Sequence, residues 1–148
     1  MDFKIEKGIS EKQIDQLLEY SLLDESVNKF TSDRERFKDR QAFNEWRKKG
    51  REITVMTNDD GDLLGIFWEG FKEMPLGDKK YNKTFAIRIY GEARGKGLSL
   101  GFMENCMKEK GYWLETSDDN LAAKALYSKF GFKQVGEVDK DNKIIMIF

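Results

Sequence analysis

The sequence predicts an α/β fold, with a mixed, mostly antiparallel sheet of roughly six or seven strands flanked by about four helices. Three observations carry this. Segments of helical and of strand period alternate along the whole chain in the order β-α-α-β-β-β-α-β-α-β-β. Two strand pairs are joined by short polar turns, which makes them hairpins and therefore antiparallel. One strand-helix-strand run, residues 85 to 115, is long enough for a crossover and so for local parallel pairing.

Residues 2 to 6 make a short first strand. Ser10-Glu11-Lys12-Gln13 reads as a capping box that starts a helix whose apolar face is Ile14, Leu17, Leu18 and Leu22. Ser32-x-x-Glu35 starts a second helix, which runs to about Lys49 and is stopped by Gly50. At Glu52 the period changes to two: Ile53 and Val55 share a face, Asn58-Asp59-Asp60-Gly61 turns the chain, and Leu63 to Phe71 returns. A polar loop from Gly77 to Lys83 follows. Phe85, Ile87 and Ile89 then alternate with Ala86, Arg88 and Tyr90, as in a strand facing two environments.

A glycine-rich turn opens a helix near Leu98 to Lys110, with Phe102, Met103, Cys106 and Met107 as its buried stripe. Tyr112 to Glu115 is a short strand. Asp118 or Asp119 caps a helix carrying Ala123, Leu126, Tyr127 and Phe130, and Gly131 ends it. Val135 to Val138 and Ile144 to Phe148, joined through Asp139-Lys140-Asp141-Asn142, close the chain as a hairpin.

Composition bounds the function classes. With 148 residues, one proline and no repeat or low-complexity linker, residues 1–148 are expected to form a single domain. Lys+Arg 26 against Asp+Glu 27 leaves a net charge of -1, without the cationic excess of a nonspecific nucleic-acid binder. Zero histidines remove Ser/His and Cys/His nucleophilic pairs and HExxH zinc sites, and no metal site is expected. Cys106, the one cysteine, cannot form an intrachain disulfide and reads as a packed thiol beside Met103 and Met107. The N-terminal MDFKIEKGISEK has no apolar segment of signal type, so a reducing cytoplasm is expected. No run approaches the roughly 18 apolar residues of a membrane span, so neither a membrane nor a nucleic acid is expected as partner.

The segment Arg94-Gly95-Lys96-Gly97-Leu98-Ser99, between a strand and a helix, suits a phosphate or pyrophosphate, because first-turn amides and the helix dipole point at an anion. It is not a Walker A loop: Tyr90 and Gly97 stand where Gly and Ser/Thr are needed. Nor is it a dinucleotide fingerprint, since Leu100 stands where Gly or Ala is needed. A plain turn that uses glycine for positive φ remains open on these residues alone.

A second motif lies about twenty-five residues on: Asn120-x-x-Ala123-x-x-Leu126-Tyr127-x-x-Phe130-Gly131-Phe132. With both motifs present, and with Ile87-Arg88-Ile89 before the first and Leu114-Glu115 before the second, the chain resembles the GCN5-related N-acetyltransferase (GNAT) superfamily. The specific motifs span residues 85 to 132, and the element order extends the likeness over nearly the whole chain. Two departures stand out. Ser99 replaces the usual Gly or Ala of the loop, and Gly91 stands where many members have proline.

The resemblance implies acetyl-CoA as co-substrate and acetyl transfer to a primary amine by direct attack in a ternary complex. It implies that Arg94, Gly95, Lys96, Gly97, Leu98 and Ser99 hold the pyrophosphate. Ile87, Arg88 and Ile89 would run beside the pantetheine and offer backbone N–H to the oxyanion. Asn120 would bind the pantetheine amide, or else cap its helix, and Lys124 would reach a phosphate.

An alkyl amine with a pKa near ~10.4 must lose a proton before attack, which calls for a carboxylate. Glu115 is the first candidate by its place in the pattern, with Glu69 and Glu92 open. Tyr127 is the expected acid for the departing thiolate, because a phenol near pKa ~10 keeps its proton at neutral pH. It also lies on the 123/126/127/130 helical face, which equally suits a core aromatic. The acceptor is expected to be a small-molecule amine. A protein N-terminus or lysine, and a CoA-binding module without turnover, are the competing readings, and a homodimer is compatible with the sequence.

Overall fold

The computed structural model describes residues 3–148, so Asp2, where the expected first strand begins, lies outside the described residues. The strands are β1 (Lys4–Lys7), β2 (Glu52–Thr57), β3 (Leu63–Phe71), β4 (Lys83–Ile89), β5 (Trp113–Ser117), β6 (Lys133–Val135) and β7 (Lys143–Ile147). The helices are α1 (Glu11–Leu23), α2 (Glu25–Phe30), α3 (Asp33–Arg36), α4 (Arg40–Arg47), α5 (Ser99–Cys106) and α6 (Leu121–Phe130), with a 3-10 turn at Gly91–Ala93. The fold is α/β, as expected. Its strands form two sheets rather than one, ordered β1-β2-β3-β4 and β5-β7-β6. The expected parallel pairing is reduced to one bridge, Lys83 with Tyr112.

The expected second helix is two short helices, α3 and α4, and an unexpected one, α2, precedes them. Asp24 ends α1 in an extended conformation and caps α2, accepting from the Val27 amide at 3.2 Å. Thr31 is extended, which breaks the chain before α3. Asp39 then caps α4 by accepting from the Ala42 amide at 2.7 Å. Ser32 makes no side-chain cap. By contrast, the capping box at Ser10 is present with both of its bonds.

The chain divides into two compact units, the first comprising the chain up to Trp68 with Ala86–Cys106, the second Glu69–Phe85 with Met107–Phe148. In the first unit Ile14 and Leu17 of α1 pack with Phe43 and Trp46 of α4, Ile53 and Val55 of β2, and Ile66 and Trp68 of β3. Leu22, expected on the buried face of α1, is 58% exposed, because α1 ends at Leu23 and the chain turns away into α2 at Glu25. Phe37 and Trp68 both meet Trp46 edge to face, at 4.9 and 5.2 Å between centroids, an arrangement worth ~0.5–1.5 kcal/mol per pair beyond area burial. On the other side of β3, Phe67 meets Phe102 of α5. Gly65 permits this approach: a Cβ there would meet Arg88 O at 3.0 Å and the Phe102 ring at 3.3 Å.

The second unit is built on antiparallel pairs such as Leu114 with Met146 and Gln134 with Met146. Its interior is aromatic: Phe85, Phe132 and Tyr127 meet at 5.6–5.8 Å, and Phe148 closes on Phe130 and Phe132. Gly131 ends α6 at φ +126, which L side chains rarely adopt, and a Cβ there would also meet the Phe148 ring at 3.1 Å. The cap of α6 is Asn120 rather than Asp118 or Asp119. Those two carboxylates are engaged by Lys124 and Asn142. No helix among the described residues is long and apolar enough to cross a membrane.

Candidate active site

In the first unit β4 is the last strand of its sheet, and its alternation decides what its backbone presents. Tyr90 N donates to Leu64 O of β3 at 2.8 Å, so the backbone groups of Ile87 and Ile89 point to the side away from β3. Their carbonyls are occupied by guanidiniums: Arg88 Nη1 donates to Ile87 O at 3.0 Å and Arg94 Nη2 to Ile89 O at 2.9 Å. Their N–H groups face the same way, as an oxyanion site on this strand requires.

Beyond β4 the chain enters the 3-10 turn and then the glycine segment. Gly91, Gly95 and Gly97 have φ of +50, +79 and +69, which glycine adopts without strain. At Gly91 a Cβ would meet the Tyr20 hydroxyl at 3.2 Å, so glycine in place of proline makes room for that side chain. At Gly95 and Gly97 a Cβ would meet nothing within 4 Å. Among the described residues no backbone carbonyl accepts from the amides of Gly95, Gly97, Leu98 or Ser99, while Leu98 O accepts from Phe102 N as the cap of α5. The segment thus combines open space at its two glycines with amides that no backbone carbonyl takes up.

The two expected cations of this segment behave differently from a simple phosphate pair. Arg94 is turned to Asp24, with Nη2 2.6 Å from Oδ2 and Nη1 3.2 Å from Oδ1. Burial alone would raise the Asp24 carboxyl, but Arg94 together with the Val27 and Ser26 amides holds the group below its ordinary range. Lys96 stands exposed in the loop itself. Gln16, Glu19, Tyr20, Asp24, Gly91 and Arg94 are among the residues that line a pocket of about 450 Å³. The Tyr20 ring stacks on Tyr90 at 4.3 Å and 5°, and burial, with Asp62 and Glu19 behind it, raises the Tyr20 phenol.

Arg88, expected only as part of a backbone-lining strand, has a second and unforeseen partner. Its Nε and Nη2 donate to Asp33 at 2.8 and 3.2 Å, and Asp33 is fully buried. Arg36 Nη1 donates to the same carboxylate. No local sequence signal marks this group, because Asp33 and Arg88 are 55 residues apart.

In the second unit Tyr127 is half-buried against Phe85 and Phe132, so the packed-aromatic reading of its face is realised. Asn120 Oδ1 accepts from Ala123 N at 3.2 Å, so the capping reading is realised too. Lys124 Nζ is 2.6 Å from Asp118 Oδ1. Glu115 is exposed on β5, in register with Ile145. Glu69, half-buried at the end of β3, accepts from the Tyr112 hydroxyl. Glu92 belongs to the first unit, where Asn58 Nδ2 approaches it at 3.4 Å.

Set against known families, residues 16–132 match the model of the acetyltransferase (GNAT) family. The chain belongs to the GNAT family of acetyltransferases. This GNAT chain is similar to spermidine N-acetyltransferase of Vibrio cholerae, solved with CoA and spermine: 14% identity, 99% of this chain and 94% of that one, TM-score 0.73. It is similar to a GCN5-related N-acetyltransferase of Kribbella flavida: 15% identity, 97% and 95% covered, TM-score 0.71. It is similar also to a phosphinothricin acetyltransferase of Sinorhizobium meliloti, solved with AcCoA: 15% identity, 99% and 87% covered, TM-score 0.66. At these identities the likeness is one of fold. No curated protein matches the GNAT chain significantly in sequence.

Proposed function

We propose that the 148 residues act as one acetyltransferase domain that moves the acetyl group of acetyl-CoA to the primary amine of a small molecule. The observation that carries the reading is the glycine segment, in which the amides of Gly95, Gly97, Leu98 and Ser99 have no backbone acceptor among the described residues and the two glycines leave open space. These residues fit a pyrophosphate. Family membership then selects CoA over other diphosphates. Solved relatives that bind AcCoA, or CoA with spermine, support the same reading.

In this reading acetyl-CoA supplies an acyl carbon already activated as a thioester. The amides of Gly95, Gly97, Leu98 and Ser99 bind the pyrophosphate, and Lys96 adds charge. Arg94 fixes the entry to the loop through Asp24 and Ile89 O. The N–H groups of Ile87 and Ile89 meet developing negative charge on oxygen. Tyr127 holds at Oη the proton needed by the departing thiolate. Asn120 orders the start of α6 through its carbonyl oxygen and keeps its amide nitrogen for the pantetheine. Lys124, tied to Asp118, acts on the phosphates only if it exchanges that partner. Glu115 takes the proton of the incoming amine directly or through water, with Glu69 and Glu92 as the other carboxylates to test.

The test is free-thiol release from acetyl-CoA with a panel of small amines and of peptides with free N-termini, alongside calorimetric CoA binding. Turnover with small amines supports the proposal. Turnover with peptides alone moves the acceptor to protein, and saturable CoA binding without thiol release makes the chain a binding module.

A further inference from the structure

Arg36 and Arg88 share one carboxylate, that of Asp33, and both guanidiniums lie over the same ring. Their Cζ atoms are 5.6 and 5.1 Å from the centroid of Trp68. Two positive charges and one negative are thus gathered where little water reaches: the side chains of Asp33, Arg88 and Arg36 are 0%, 14% and 33% exposed. Asp33 engages only Nη1 of Arg36, leaving the exposed remainder of that planar donor fork for another acceptor. Besides Asp33, the charges that act most on Arg36 are positive, Arg88 and then Arg51, which stands over Trp46. A half-buried guanidinium that shares its carboxylate with a second arginine keeps donors for a further anion.

Arg88 connects this site to the reaction. It lies between Ile87 and Ile89 on β4, the strand whose outward N–H groups the proposed function assigns to the acyl oxygen.

We infer that Arg36, backed by Arg88 over Trp68, binds an oxyanion of the acetyl acceptor, so that the acceptor is an amine that also carries an acid group. This rests on the acetyl-transfer reading and narrows its substrate class. A carboxylate and a phosphonate both match the guanidinium fork and are the chemistry selected. A polyamine, which brings only positive charge, is selected against.

The experiment pairs each acid-bearing amine with its acid-free counterpart: α-amino acids with their decarboxylated amines, and ω-amino acids and aminoalkylphosphonates with the matching alkylamines. The readout is the ratio of kcat/KM within each pair, for the wild type, Arg36→Gln and Arg36→Lys. The wild type is expected to favour at least one acid-bearing member by about tenfold to a hundredfold. Arg36→Gln brings that ratio towards one, and Arg36→Lys, which keeps the charge but loses the fork, falls between. A structural role alone would lower both members of a pair and leave the ratio unmoved.

Melting-temperature shifts with the acid-bearing compounds, measured without turnover, separate the two readings. Acid-dependent stabilisation that is lost in Arg36→Gln, with no thiol release from any amine, overturns acetyl transfer and keeps the oxyanion site. Thiol release with equal or better rates on acid-free amines overturns the oxyanion site alone.

Discussion

Arg88 Nε donates to Asp33 Oδ2 at 2.8 Å, joining the end of β4 to the first residue of α3. The bond explains how a four-residue helix, too short to be stable by itself, is held against the sheet. Asp33 sits at the head of α3, where the helix dipole favours a carboxylate, and the two arginines satisfy the charge in the interior.

Asp33→Ala should therefore destabilise the protein by about 3–5 kcal/mol, the cost of leaving buried partners uncompensated. Asp33→Asn keeps the shape but not the charge, and should recover only part of this. Urea unfolding of both variants checks the ordering.

The pyrophosphate assignment is tested at Gly97. Gly97→Val should lower CoA affinity more than tenfold while the protein stays folded, because a side chain there clashes with nothing in the chain but enters the space an anion needs. Positive φ strains any L residue at that position by about 1–2 kcal/mol, so the control is Gly61→Val. Gly61 has φ +78 and equally open surroundings, but lies in the turn between β2 and β3. Calorimetric titration should show unchanged CoA affinity in the control. Equal losses in both variants would make the effect one of strain.

Local signals in the sequence place most elements, and the failures have a common cause. The capping box at Ser10, the stop at Gly50, the strand Leu63–Phe71 and the stop at Gly131 each depend on residues within a few positions of one another. The helix α2 was not legible because only Val27 of its six residues is buried, so it shows no apolar period. The Asn120 cap was obscured by two adjacent aspartates, whose engagement by Lys124 and Asn142 only the fold reveals. The glycine loop could be read as an anion site because its chemistry lies in the backbone. The Asp33 cluster could not, because its charges come from α3 and β4, and nothing in either segment announces the other.

At Tyr127 the packed-aromatic and acid roles make different predictions for one oxygen atom. The ring contacts with Phe85 and Phe132 survive in Tyr127→Phe, so the melting temperature and CoA affinity should hardly change. If the hydroxyl supplies the proton, kcat falls by about 10²- to 10⁴-fold when thiolate departure limits the rate. Steady-state kinetics with a good amine acceptor at saturating acetyl-CoA provide that condition. Full activity would leave Tyr127 as a packing residue and water as the proton source.

Tyr90 gives the last prediction, through stability rather than catalysis. Its ring is fully buried and stacked on Tyr20, yet its hydroxyl has no hydrogen-bond partner among the described residues. Burial, opposed by Arg88 and reinforced by Asp33, drives the phenol far above its ordinary range. A group whose folded-state pKa is raised contributes stability that is complete below its unfolded value, near ~10, and is lost as pH climbs above that value. Tyr90→Phe removes an unpaired polar atom and keeps the stack, so it should raise stability at neutral pH by about 1 kcal/mol. It should also flatten the fall in stability between about pH 9 and pH 11, leaving the smaller slope due to Tyr20, whose phenol is raised as well. Urea midpoints of wild type and variant across that range decide it. A variant less stable than wild type at neutral pH would mean that the hydroxyl is satisfied in solution, and an unchanged alkaline slope that the phenol titrates alike in the folded and unfolded chain.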